Sequence, residues 1–254
     1  MKFLFSVIFF GLLFQSLGEV VINEFMAGSS ERRLSWSTND VAQLGTGVPW
    51  KAPEYADGGW SMGNLPAGYG FTGLSTDLTG TMLNQAPSLY LRKEFQATAE
   101  QAAATNQLNL AMDCNDGFVA YLNGREVARA NAGPTNHFLY ACQPAYNVNT
   151  NTGVISYNLG AASRWLVPGR NVLAVQAHNA EMPSTVAIPE QITQHTPTPE
   201  FKVNAGLTWV SNGVPVNLIA LGTGGGPWRY FVGRYEPSGG VVDEGDAPPS
   251  IPIG

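Results

Sequence analysis

The stretch that decides the fold is QLNLAMDCNDGFVAYLNGREVARA, which covers residues 107–130. Its first part alternates apolar and polar residues, which is the period of a strand with one buried face. Asn123-Gly124 is the preferred two-residue hairpin turn, because both residues tolerate positive φ. The stretch therefore predicts an all-β domain with three successive antiparallel strands, at residues 108–112, 118–122 and 125–130.

The hairpin turn also predicts a register. A two-residue turn pairs Leu122 with Arg125, and counting along both strands then pairs Gly117 with Ala130. The segment that follows, residues 131–153, is rich in Asn, Pro and Gly, which predicts a long loop. By this register, the loop leaves from the same end of the sheet as the turn that precedes the second strand. Long ordered loops on rigid sheets often carry binding sites, so we expect a site at this end.

The candidate ligand-binding residues belong to this turn and this loop. Amide and carboxylate side chains can hydrogen-bond to sugar hydroxyls, and an exposed tyrosine ring can stack on a pyranose. The competing interpretations are structural: Asx side chains commonly bond to their own turn, and tyrosines commonly cap a core. The candidates are Asn115, Asp116, His137, Tyr140 and Tyr146.

Three acidic or amide side chains cluster at the same turn, namely Asp113, Asn115 and Asp116. Hard oxygen ligands suit calcium, so this turn is also a candidate calcium site. The spacing is not that of an EF-hand loop, and turn chemistry explains the same residues. We therefore expect no cofactor, with calcium as the alternative.

The N-terminus predicts export. Lys2 precedes an apolar run that ends near Leu17, with small residues before Glu19, which is typical of a signal peptide at residues 1–18. The alternative is a membrane helix, but the run is short for one. We expect a secreted, periplasmic or cell-surface protein. The net charge of −6 and the charged fraction of 13% argue against binding to nucleic acid or to anionic membranes.

The two cysteines, Cys114 and Cys142, follow a predicted export signal, so a disulfide between them is permissible. The register argument places Cys114 at the end from which the loop with Cys142 departs. Such a bond would close a loop of about 28 residues and stabilise the fold by about 3–4 kcal/mol in the chain-entropy interpretation. The alternative is two separate thiols.

Several segments follow one another in a recognisable order, namely Trp60, LPAGYG (65–70), LYLRKEF (89–95), DGFVAYLNGREV (116–127) and VPGRNVLAVQAH (167–178). This order resembles a known family, the galactose-binding-like jelly roll, over about residues 34–210. That jelly-roll β-sandwich occurs as a sugar-binding domain beside glycoside hydrolases and as an accessory module in secreted bacterial proteins. Separately, VVINEFMA (20–27) resembles the first strand of lamin-tail-like domains.

The sequence thus predicts a division into a signal peptide (1–18), an N-terminal strand or linker (19–33), a sandwich (34–210) and a Gly/Pro-rich extension or start of a second module (211–254). The resemblance implies a non-catalytic carbohydrate-binding module. The alternative is a structural or adhesion module that spaces other extracellular domains and binds no small ligand. No G-x-S-x-G elbow or other motif supports an enzyme.

Overall fold

The computed structural model describes residues 48–135, 138–149, 153–180 and 198–237. The predicted signal peptide and N-terminal strand lie outside the described residues. No helix among the described residues has both the length and the apolar character that a membrane span requires.

This part of the chain forms twelve strands and two short helices. The strands are β1 (Ser61–Gly63), β2 (Ala67–Tyr69), β3 (Thr76–Asp77), β4 (Ser88–Ala97), β5 (Gln107–Asn115), β6 (Gly117–Leu122), β7 (Arg125–Ala130), β8 (Ile155–Ala161), β9 (Gly169–His178), β10 (Phe201–Ser211), β11 (Val214–Ile219) and β12 (Trp228–Val232). The helices are α1 (Thr79–Met82) and α2 (Ala99–Ala103).

The strands form two packed sheets, which confirms the predicted all-β sandwich. Sheet I has the order β1-β12-β4-β9-β6-β7. Sheet II has the order β3-β2-β10-β5-β8, with β11 also paired to β10. The core between the sheets is apolar and contains, among others, Leu89, Leu91, Leu110, Phe118, Leu173, Val175, Phe201, Val203 and Leu207.

The predicted three-strand meander is wrong in one respect, because β5 and β6 belong to different sheets. β5 pairs with β10 and β8, whereas β6 pairs with β7 and β9. The reason is burial. β6 is buried along its whole length and lies inside sheet I, whereas β5 alternates and has one solvent-facing side. The chain therefore crosses from sheet II to sheet I at Asp116.

The hairpin of β6 and β7 confirms the predicted turn but not the whole register. Leu122 lies opposite Arg125, as expected. Ala130, however, lies opposite Phe118 and not Gly117, because the register shifts by one residue between Ala120 and Tyr121. An extra residue on β7 produces this β-bulge, which the turn type alone does not predict.

The outer face of sheet I, here called the covered face, carries a second cluster of buried side chains. Trp50 makes edge contacts with Tyr90 and Tyr121, at centroid distances of 4.8 and 5.6 Å. The segment 48–60 supplies Trp50, and the loop after β7 adds Leu139. This face is therefore shielded from solvent by chain segments that lie outside the sheet.

The outer face of sheet II, here called the open face, is polar. Side chains from four adjacent strands lie side by side in one cross-strand row. Each is partly or fully exposed, and none is charged. The row consists of Asn217, Thr208, Asn109 and Asn158.

The predicted sandwich boundary at residue 210 is wrong. β12 pairs with both β1 and β4, so the sandwich continues at least to Val232. The segment predicted as an extension instead supplies an inner strand of sheet I. Its Gly/Pro-rich composition resembled a linker, but WRYFV (228–232) has the aromatic and β-branched residues of a strand.

The predicted disulfide is also wrong, because Cys114 and Cys142 are both free thiols. Cys114 lies on β5 in sheet II, where its thiol donates to the carbonyl of Gly117 at 3.4 Å. Cys142 is exposed on the loop, close to Glu236 beside the covered face. The disulfide prediction failed because it assumed that the turn and the loop extend one sheet.

Candidate functional site

Asp116 anchors the end of the sandwich at which the site was predicted. Its Oδ1 accepts a hydrogen bond from the backbone N–H of Asn149 at 2.7 Å. Its Oδ2 accepts from the N–H of Ala180 at 2.7 Å and from the hydroxyl of Thr198 at 3.4 Å. One side chain therefore connects the long loop, the end of β9 and the segment before β10. Burial raises the pKa of the Asp116 carboxyl, and these hydrogen bonds oppose that rise.

Asn115 and Asn131 hold the loop from two further positions. The Asn115 amide donates to the carbonyl of Asn149 at 2.7 Å. The Asn131 side chain donates to the carbonyl of Asn147 at 2.5 Å and accepts from the N–H of the same residue at 3.1 Å. These side-chain hydrogen bonds satisfy loop backbone groups that would otherwise need a neighbouring strand as partner. The loop is therefore ordered without being part of a sheet.

The end of β9 supports the middle of the loop. His178 Nδ1 lies 2.6 Å from the carbonyl of Gln143, and the N–H of Ala145 donates to the carbonyl of Asn179 at 2.9 Å. Burial lowers the pKa of His178 to about 4, so the ring is neutral near pH 7. This histidine is a structural hydrogen-bonding group beneath the loop.

A carboxylate from the C-terminal segment holds the other side of the loop. Glu236 Oε1 accepts from the N–H of Ala141, and Oε2 accepts from the hydroxyl of Tyr90 at 3.0 Å. Ser88 donates to the carbonyl of Ala141 at 2.6 Å, so the backbone of this residue is fixed on both sides. Burial raises the pKa of Glu236 to about 7. Sequence reasoning missed Glu236, because residues 211–254 were predicted to be an extension.

Two tyrosines project from this anchored loop. Tyr140 is 42% exposed and makes an edge contact with Phe138 at a centroid distance of 4.8 Å. Tyr146 is 54% exposed, and its ring lies so close to Gly133 that a Cβ there would approach it to 2.9 Å. Their backbones are held by neighbouring residues, while their rings face solvent.

The predicted site residues therefore fall into different environments. Tyr140 and Tyr146 are accessible, as a ligand contact requires. Asn115 and Asp116 are each only 2% exposed and are engaged in anchoring the loop. His137 lies outside the described residues. The signal that separates the two groups, burial, is not visible in the sequence because Asx residues suit an exposed turn and a buried anchor equally well.

The calcium candidates are engaged in other contacts. Asp113 forms an ion pair with Lys202 at 2.9 Å, and both carboxylate oxygens of Asp116 accept hydrogen bonds. Within the described ranges, no group of three or more His, Cys, Asp or Glu side chains is arranged to hold a metal ion. The carboxylates of this turn are thus already paired with donor groups of the protein itself.

A small cavity lies behind the turn, with a volume of about 30 Å³. Its lining includes Met112, Cys114, Asp116, Phe118 and Tyr157. This volume is enough for a water molecule, whereas small-molecule pockets are usually ten or more times larger, at roughly 300–1,000 Å³. A sugar at this end of the sandwich would therefore bind on the surface of the loop.

Comparisons with known proteins gave no match to a family model and none to a curated protein. Among solved structures, an α-L-rhamnosidase from Aspergillus terreus is similar at 12% identity and a TM-score of 0.34, over 53% of this chain and 14% of that one. The PA14 domain of the MpAFP antifreeze protein is similar at 10% identity and a TM-score of 0.27, over 52% and 47%.

A β-glucuronidase from Ruminococcus gnavus is similar at 11% identity and a TM-score of 0.31, over 62% of this chain and 32% of that one. The matched part of this chain spans less than half the length of each of these three structures. Similarities this weak transfer no residue roles to this chain.

Proposed function

We propose that this protein is a secreted, non-catalytic carbohydrate-binding module that attaches to polysaccharide through the loop at residues 138–149. The observation that carries the proposal is the exposure of Tyr140 and Tyr146 on a loop whose backbone is fixed by partly buried hydrogen bonds. A flat aromatic face on a fixed backbone can stack on a sugar ring with little loss of conformational entropy on binding.

In this proposal Asn115, Asp116 and Glu236 position the loop, and the tyrosines contact the sugar. The contact area is small and no deep pocket encloses the ligand. Each polar contact would add only about 1 kcal/mol, so we expect dissociation constants of roughly micromolar to millimolar. Attachment to a polysaccharide needs no tighter binding, because one polymer offers many equivalent sites.

Secretion is part of the proposal and is supported by the signal-peptide pattern at residues 1–18. The absence of catalysis is also proposed, since the sequence contains no catalytic motif that we identified. The carboxylates of Asp116 and Glu236, which contact the loop, both accept hydrogen bonds from its backbone N–H groups. That arrangement suits an anchor better than a general acid or base.

One observation favours the alternative of a spacer module. Leu139 and Ala141, which flank Tyr140, are buried in the cluster of the covered face. The loop therefore also shields sheet I, a role that needs no ligand. In that case the protein would connect extracellular domains, and the tyrosines would be incidental surface residues.

Retention on insoluble and immobilised polysaccharides would test the proposal, using Tyr140→Ala and Tyr146→Ala separately. Tyr140→Phe and Tyr146→Phe are the matched controls, because they keep the ring that stacks. We expect the alanine variants to lose retention with an unchanged thermal midpoint, and the phenylalanine variants to keep most of it. Wild-type retention in both alanine variants, or no binding by the wild type across a broad glycan array, would refute the loop site and favour the spacer.

A further inference from the structure

Two arginine side chains contact the same tryptophan ring, at the end of the sandwich opposite the tyrosine loop. Arg125 begins β7, and Arg164 ends a 3₁₀ turn at Ala162–Arg164. The guanidinium carbons of these two residues lie 4.7 and 5.9 Å from the ring centroid of Trp165. Both distances fall within the range of cation–π contacts.

The ring and one of the arginines are fixed in place. Trp165 Nε1 donates to the carbonyl of Leu159 at 2.7 Å, and the indole packs against the core. The Asn123 amide donates to the carbonyl of Trp165 at 2.9 Å, and Arg125 Nη1 donates to the carbonyl of Arg164 at 2.9 Å. Stacking and hydrogen bonding restrict the rotamers of Arg125 before any ligand arrives.

The positive charge of this pair is not neutralised by a direct partner. Both arginines are exposed, and neither forms an ion pair with a carboxylate among the described residues. Four other basic side chains among the described residues do form such pairs, namely Arg92, Arg129, Arg170 and Lys202. In a chain with a net charge of −6, two unpaired guanidinium groups on one ring are a local concentration of positive charge.

We infer that Arg125 and Arg164 form an oxyanion-binding subsite for an acidic polysaccharide. The bound group is a uronate carboxylate or a sulfate ester. The planar guanidinium presents parallel N–H donors that match two oxygens of either group. Arg125 uses one of its donors on a backbone carbonyl and keeps the others, and Arg164 donates to no side chain or carbonyl of the described ranges. The subsite is separate from the tyrosine loop and does not depend on it.

Affinity electrophoresis in gels that contain polygalacturonate, dextran sulfate or neutral dextran would test the subsite. We expect retardation in an acidic gel and none in neutral dextran, and retardation should decrease with added salt because exposed charges are screened. Arg125→Gln and Arg164→Gln should each weaken binding about tenfold, which is near the lower end of the effect of losing a hydrogen bond to a charged group, because both side chains are exposed. Comparison of the two acidic gels identifies the anion.

Arg170→Gln is the matched control. It removes the same charge at the same end of the sandwich, but from a side chain that pairs with Glu94. We expect this variant, and the double variant Tyr140→Ala/Tyr146→Ala, to bind acidic polymer as the wild type does. The inference would be overturned by equal loss in Arg170→Gln, by wild-type retardation of both Arg125→Gln and Arg164→Gln, or by no retardation in either acidic gel. Far-ultraviolet circular dichroism of each variant excludes unfolding as the cause of a loss.

Discussion

Among the residues that the structure describes, three chain segments cover the outer face of sheet I, whereas none covers the outer face of sheet II. The covering segments are residues 48–60, the described parts of the loop at 131–135 and 138–149, and residues 233–237. They are held by polar side chains, which include the buried Arg92 and the partly buried Glu236. The open face instead carries a row of uncharged amide and hydroxyl groups, and water can satisfy their hydrogen bonds.

The burial of a strand on both faces is visible in its sequence. Residues 172–178 of β9 (VLAVQAH) are apolar with few exceptions and all buried, whereas β5 alternates between buried and more exposed residues. A strand that is apolar on both faces, such as β9, needs further chain segments packed over its outer face. The backbone N–H and C=O groups of those segments must then find hydrogen-bond partners. In this protein that need places polar side chains in an otherwise apolar cluster, and it fixes the loop that carries the candidate site.

The largest effect is expected for Arg92, whose guanidinium is buried on the covered face. It forms an ion pair with Asp57 at 2.8 Å and donates to the carbonyls of Trp50 and Ala52. Arg92→Met keeps most of the volume but leaves these acceptors without a donor. We expect a loss of about 3–5 kcal/mol in the free energy of unfolding, and a fall in the thermal midpoint of about 10 °C.

Arg170→Met is the control for this prediction, because the ion pair of Arg170 with Glu94 is exposed on the same sheet. Exposed pairs typically contribute about 0–1 kcal/mol, so its midpoint should change by no more than about 3 °C. Equal midpoints for the two variants would mean that Arg92 does not hold the segment 48–60 in place.

A smaller effect is expected from the ionisation of Glu236. Burial raises its pKa from 4.5 to about 7, so the stability that the protonated form contributes is complete below pH 4.5 and is lost as the pH rises through about 7. Glu236→Gln keeps an acceptor for the N–H of Ala141 but cannot ionise. The wild type should therefore become less stable relative to this variant, by a few degrees in thermal midpoint (about 1 kcal/mol or more), between pH 4.5 and 7.5.

The difference between wild type and variant is the quantity to measure, because His178 has the opposite dependence. Its lowered pKa contributes stability that is present above pH 6.5 and is lost as the pH falls through about 4. Both proteins contain His178, so its contribution cancels. A difference that stays constant with pH would show that Glu236 is not buried beside Ala141 and Tyr90.

The smallest effect is expected on the open face. Asn109 and Asn217 are members of the polar row, and Asn217 accepts from the hydroxyl of Thr208 at 3.2 Å. Because water can replace these contacts, Asn109→Ala and Asn217→Ala should each change the free energy of unfolding by less than about 0.5 kcal/mol. Denaturant titration would measure this. A loss of several kcal/mol from either variant would show that these side chains make contacts that water cannot replace.

Much of the fold was predictable from local pattern. The turn at Asn123-Gly124 and the strands at 108–112, 118–122 and 125–130 lie where the pattern indicated, since apolar period and turn chemistry are local properties. The pairing of β5 with β10 was not predictable, because partners that are distant in the chain leave no local trace. β12 was missed because its Gly-rich surroundings suggested a linker.

The candidate site was predictable only in part. The loop and its two tyrosines were identified from composition, and their exposure is what a ligand contact requires. The burial of Asn115 and Asp116 depends on how the loop returns over the end of β9, which is a tertiary property. Glu236 lay beyond prediction for the same reason, because its partners Ala141 and Tyr90 are distant in sequence.

Whether the tyrosine loop binds sugar is tested most directly by titrating the isotope-labelled protein with soluble polysaccharide fragments and following the backbone amide chemical shifts. We expect shifts at residues 138–149 and none along the open face at Asn109, Asn158 and Thr208. Shifts on the open face without shifts in the loop would contradict it. So would the absence of any shift with fragments of a polysaccharide that retains the protein.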